Sequence, residues 1–132
     1  MDRMSLLRLT YRVNAAATLA CGLGLIAAGG VLAPIFAVPA AALWTVGGLF
    51  LPFAAWIWSI SRRSQLSWAE AAVAGVLDGA YALASVVALA EMWTRMTPEL
   101  RAAIAIVAAP VALFAAVELS SALRLRGSPA AA

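Results

Sequence analysis

Residues 68–92 read WAEAAVAGVLDGAYALASVVALAEM, and Asp78 is the sole charge between Glu70 and Glu91. At 1.5 Å per residue a helix of this length crosses a hydrocarbon core of about 30 Å. The stretch lacks the period-two alternation of a half-buried strand. In lipid every backbone polar group must bond internally, so the segment is expected to be a helix. Ser67-Trp68-Ala69-Glu70 opens it as a capping box, with Ser67 capping and Glu70 reaching back.

Working outward, three further apolar spans are expected, over about 13–33, 40–60 and 98–123. Span one follows a basic lead with Arg3, Arg8 and Arg12. Its apolar run is longer than the h-region of a signal peptide, so it is expected to remain as a span. Pro34 and Pro39 bracket the first connection, and Pro39 suits a helix start. Ser61-Arg62-Arg63-Ser64-Gln65 makes the second. Thr97-Pro98-Glu99 opens span four with a cap, a first-turn proline and an acid at the positive helix end. Residues 124–132 read as a loose tail. Pro52 and Pro110 fall inside spans two and four, where a missing backbone donor favours a kink.

Composition agrees with four spans. The chain of 132 residues is 65% hydrophobic and 11% charged, with mean hydropathy +0.97, against about 25% charged residues in a soluble domain. The expectation is therefore all-α: a single membrane domain, 1–132, built as a four-transmembrane-helix bundle. Seven arginines (3, 8, 12, 62, 63, 124, 126) fall beside one set of span ends and two, Arg95 and Arg101, beside the other. The positive-inside rule then puts both termini in the cytoplasm of a multi-pass cell (inner) membrane protein. Trp56, Trp58 and Trp68 flank the arginine-rich side, and Trp44 and Trp93 the other, as aromatic belts.

Shifting the chain by 64 residues aligns span one with three and two with four: Pro34 meets Pro98, Cys21 meets Ser85 and Asn14 meets Asp78. Two tandem helical hairpins running parallel would give this register. Small residues recur at steps of four, as Ala16, Ala20, Gly24 and Ala28 in span one and as Ala71, Gly75 and Gly79 in span three. Such stripes serve packing within a bundle or against a second copy. In a duplicated bundle, spans one and three are expected to meet through them near the pseudo-twofold axis.

Asp78 stands out chemically. A carboxylate at mid-span costs about 2.5–3.5 kcal/mol on insertion scales, so it should face the bundle interior and find partners. Asn14 and Glu118 fall within a few turns of it in depth, Arg12 could reach inward to either acid, and Tyr81 and Ser85 lie at helical spacing from Asp78. These six residues form the candidate intramembrane polar cluster. An Arg12 partner would give an ion pair. With Glu118 as the close partner, like charges in a low dielectric oppose ionisation of both acids. The cluster either binds a proton, a cation or a polar head group, or pins helix register.

The chain has no histidine, no lysine and one cysteine, Cys21, inside span one. An intramolecular disulfide is excluded, and the serines have neither a histidine nor a lysine to activate them. No phosphate-loop or dinucleotide glycine pattern occurs. No catalytic, metal or cofactor-binding residue is expected. Nor is a nucleic-acid partner, because the arginines sit beside apolar spans where they suit lipid phosphates.

The basic start through Arg12-Val13-Asn14, the run Leu51-Pro52-Phe53-Ala54-Ala55-Trp56, the pair Arg62-Arg63 and the polar Asp78 resemble a broad group of small, uncharacterised bacterial four-helix membrane proteins. The resemblance implies a bacterial membrane protein and no particular activity. Small four-helix multidrug transporters are similar in length, but their hallmark is a glutamate in the first helix, which this chain lacks. Two roles follow: a non-enzymatic accessory or scaffold component with a membrane-protein partner or a second copy, or a small transporter or ligand-binding bundle around Asp78. A cavity that contains Asp78 would favour the second.

Overall fold

A computed structural model describes residues 2–127, with Arg3 by its backbone alone. Four α-helices follow in order: α1 Arg3–Phe36, α2 Ala40–Ser61, α3 Trp68–Met92 and α4 Pro98–Gly127, with a single 3₁₀ turn at Trp93–Arg95. All four are long and apolar enough to cross a membrane. Their outward faces carry large apolar side chains, such as Val31, Ile106 and Leu123 at 70–73% exposure. Water would penalise that surface and lipid does not.

The boundaries differ from the sequence reading at both ends of α1 and at the end of α4. The basic lead is part of α1, capped by the Asp2 carboxylate on the Ser5 N–H at 2.7 Å. That bond holds the Asp2 carboxyl below its usual range. Pro34 does not end α1 but sits in its last turn. It lacks the N–H that position 34 would return to the Gly30 carbonyl, and the helix stops within a turn at Ala37, the one described non-glycine residue with positive φ, at 55°. The amides of Ala37 and Val38 both return to the Ala33 carbonyl. At the other end α4 runs on through Arg124 and Arg126 to Gly127, and these basic residues suit a helix C-terminus. Of the expected loose tail, residues 128–132 lie outside the described residues.

Two caps set the second hairpin. Thr97 Oγ1 accepts the Leu100 N–H at 3.2 Å. Ser67 Oγ accepts the Ala69 N–H at 3.2 Å. The expected return bond from Glu70 is absent, because Glu70 pairs with Arg63 across the connection.

The chain packs as two hairpins, α1 on α2 and α3 on α4, joined by α1 against α4. Span one does not use its Ala16–Ala28 stripe. Ala16, Ala20 and Gly24 are exposed, and a Cβ at Gly24 would meet nothing within 4 Å. The close approach is made by Gly22 and Gly47 instead: a Cβ on Gly22 would stand 2.9 Å from the Gly47 carbonyl oxygen. On α3 the expected small residues are used, but toward α4, where a Gly75 Cβ would overlap Leu119 at 2.7 Å. Spans one and three therefore do not meet backbone to backbone.

At the expected 64-residue shift, burial matches at four positions of α1 and α3 and, in α2 and α4, at one. Leu7 and Ala71, Thr10 and Ala74, Tyr11 and Gly75, Asn14 and Asp78, and Ala54 and Glu118 are all buried pairs. The apolar core lies toward the arginine-rich end, where Leu7, Tyr11, Ala15, Ile57, Ile60, Leu66 and Ala74 cluster. Arg8 closes this end. Its guanidinium donates to the carbonyls of Ser61 at 3.3 Å, of Ser64 at 2.7 Å and of Arg63, a cation on the negative end of α2.

Candidate functional site

Of the buried polar side chains, Thr10, Ser61 and Ser85 donate to carbonyls of their own helices, whereas Asn14, Asp78 and Glu118 converge. Leu7, Tyr11, Asn14 and Thr18 share one face of α1, at steps of three and four. On α3 the same logic aligns Glu70, Ala74 and Asp78. Glu118 turns inward from α4 and is fully buried, as is Asn14, while Asp78 is 4% exposed.

Asn14 joins the three helices. Its Nδ2 donates to Asp78 Oδ2 at 2.5 Å and to Glu118 Oε1 at 3.3 Å. Its Oδ1 accepts from the Thr18 hydroxyl at 3.1 Å. Two acid oxygens thus lie within 3.3 Å of one nitrogen atom. Like charges that close repel in a weakly screening interior, so the pair favours a shared proton or a bound cation.

Of the six expected residues, three meet in this cluster: Asn14, Asp78 and Glu118. Arg12 does not join. It lies on the exposed face of α1, so Asp78 takes its donor from an amide and no Arg12–Asp78 ion pair forms. Ser85 is buried but donates to its own helix, at the Tyr81 carbonyl, 2.8 Å. Tyr81 packs edge-on against Phe50 with centroids 5.8 Å apart. Tyr11 was not among the six, yet it is fully buried and its hydroxyl has no hydrogen-bond partner among the described residues. Its spacing of three from Asn14 was the available signal.

A cavity of about 300 Å³ adjoins the cluster. Asp78 is the one charged residue in its wall. Phe50, Phe53, Tyr81 and Phe114 supply aromatic surface, with Thr18 among its few polar side chains. Pro110 of α4 also lines it. An apolar pocket of this size with one convergent acid has the general form of a small-molecule site. Among the described residues no three His, Cys, Asp or Glu side chains gather as metal ligands. The site offers charge and aromatic faces, which suit an organic cation.

Comparisons with family models, with curated proteins and with solved structures return no match.

Proposed function

We propose that the chain is a non-enzymatic integral membrane bundle that binds a small aromatic or aliphatic amine cation, as a transporter or ligand-binding component. The observation that carries this reading is the position of Asp78, an acid in the wall of an aromatic cavity and paired behind with Glu118 through Asn14. Energetics support it. Each mid-span acid costs about 2.5–3.5 kcal/mol. A hydrogen bond between membrane helices returns about 0.6 kcal/mol on average and at most about 1.7. The cluster therefore weakens the fold on balance, and a bound cation offsets that cost by charge and by cation–π contact. The arginine count supports cytoplasmic termini; a bacterial inner membrane is what the resemblance to small bacterial four-helix membrane proteins implies.

Titration of the protein in lipid nanodiscs with benzyltrimethylammonium tests the reading. Saturable binding is expected in the wild type, abolished in Asp78→Asn, weakened in Phe114→Ala and kept in Glu91→Gln. Equal uptake by the wild type and Asp78→Asn would mean partition into lipid, and the site would fall.

A scaffold role is the second reading. The exposed Ala16–Ala20–Gly24 face of α1 supports it, since that face admits another helix at close range. Crosslinking from Ala20→Cys to a second membrane protein or a second copy would favour it over the cation site.

A further inference from the structure

The walls of the cavity decide how a ligand reaches Asp78. At the arginine-rich end all four helices close it off. Leu7 and Tyr11 of α1, Ile57 and Ile60 of α2 and Ala74 of α3 are at most 1% exposed, and Leu125 of α4 packs against them. Asn14 and Glu118, between this plug and the cavity along their helices, are fully buried as well.

The sides of the cavity are different. Ala17 of α1, Leu77 of α3, and Ile106 and Pro110 of α4 line it and are themselves exposed on the surface of the bundle. Leu77 lies nine residues into α3 and Ile106 eight into α4, which puts them about 14 Å and 12 Å inside opposite ends of the bundle. A hydrocarbon layer about 30 Å thick covers both levels. The openings therefore face acyl chains, between hairpins that are joined mainly through α1 and α4.

Such a layer selects what can pass. A fixed charge enters hydrocarbon at high cost, whereas a neutral amine with an apolar body dissolves in it. No basic side chain lines the cavity. Its one acid backs onto a second acid through the Asn14 nitrogen, so the pair favours holding a proton while no cation is bound.

The geometry points to loading from inside the bilayer: a neutral, lipid-dissolved amine enters between the hairpins past Ala17, Leu77 and Ile106 and gains its proton at Asp78. The ligand class rests on the cation site proposed above; the lateral opening does not. The exchange balances without carrying net charge into the membrane. The amine lone pair forms an N–H bond to the proton that Asp78 gives up, and the ammonium stays paired with the carboxylate left behind. The aromatic wall holds the apolar body. A quaternary ammonium has no lone pair and must enter charged, so it binds at equilibrium but loads slowly.

Cys21, the one cysteine of the chain, lines the cavity and reports on both parts. In phosphatidylcholine vesicles, lipid-soluble N-phenylmaleimide should modify Cys21 at a rate comparable to Leu23→Cys in a Cys21→Ser background, since Leu23 is 51% exposed on the lipid face. A charged, impermeant maleimide present on both sides should leave Cys21 unmodified. Leu77→Trp combined with Ile106→Trp adds bulk at two openings and should lose most of the reaction at Cys21. Dimethyldodecylamine should protect Cys21 at once in the wild type and lose that protection in Asp78→Asn. Dodecanol should not protect, and dodecyltrimethylammonium should protect only after prolonged incubation. If Asp78→Asn fails to fold, these three probes on the wild type decide. Modification of Cys21 by the charged reagent, or undiminished reaction in the double variant, overturns the lateral opening, and the cation site stands if benzyltrimethylammonium still binds. Equal protection by dodecanol means a groove for acyl chains, and equal speed for the quaternary ion means entry as a cation; either overturns the neutral-amine step. Absence of protection by the amine overturns the ligand class, and the cation site falls with it if benzyltrimethylammonium also fails to bind.

Discussion

Among the described residues Asn14 supplies the donor that both buried acids share, through its single amide nitrogen. Removing it strands two buried carboxyl groups, at a cost of about 1–3 kcal/mol for a buried unsatisfied group. Asn14→Ala should therefore lower stability by about that amount in mixed-micelle unfolding. A Gln at 118 brings its own amide donor to Asp78, so Asn14→Ala should cost less in a Glu118→Gln background than alone. Additive losses would mean that Asn14 does not bridge the acids. Asn14 and Asp78 were legible in the sequence because polar residues in an apolar span have few reasons to be there. Arg12 was misplaced for a geometric reason. Residues two apart on a helix turn away from one another, so Arg12 and Asn14 cannot share an inward face. The same rule brings in Tyr11, three residues before Asn14, which an aromatic near a span end disguises as a belt residue.

Element by element, the helices were legible and their contact faces less so. Hydropathy and length decide a span, and caps at Ser67 and Thr97 decide two starts. Which face meets a neighbour depends on helices that a single span does not describe. In α1 a step of four picks out Ala16, Ala20, Gly24 and Ala28, yet the residues pressed against α2 include Gly22 and Gly29, seven apart. A seven-residue step drifts only slightly around a helix and follows the seam of two helices at a shallow crossing. Alanine-rich sequence hides that seam, because small residues occupy most faces. The two glycine sets give a direct comparison. Gly22→Ala forces a Cβ against the Gly47 carbonyl oxygen, a backbone atom that cannot swing aside, and should destabilise by about 1–3 kcal/mol. Gly24→Ala meets open space and should be neutral or slightly stabilising, since alanine favours the helix. Unfolding midpoints of the two variants check this, and the reverse order would restore the stripe read from sequence.

Across the whole molecule, the two hairpins carry matching buried positions in α1 and α3, but not matching contacts. Tyr11 fills space at the position where α3 has Gly75, and Gly75 receives Leu119 of α4. Divergence of this kind keeps the register while letting one hairpin hold Glu118 where the other holds Ala54. The arrangement also sets the topology in the membrane. Arg8 binds the end of α2 and Arg126 lies over the Trp68 ring at 5.4 Å, so each hairpin closes its own open end, and the short connection from Ser61 to Trp68 keeps the two ends on one side. That end carries five more arginines than the other. At about 1 kcal/mol per arginine near an anionic leaflet, a difference of roughly 5 kcal/mol favours placing it on the cytoplasmic side. In a Cys21→Ser background, an impermeant thiol reagent added to intact cells should therefore label Ala37→Cys and Thr94→Cys and spare Ser64→Cys. Labelling of Ser64→Cys alone would reverse the orientation while leaving the hairpins intact. Labelling of Ala37→Cys and Ser64→Cys from one side would break the first hairpin, because α2 could not then cross between them.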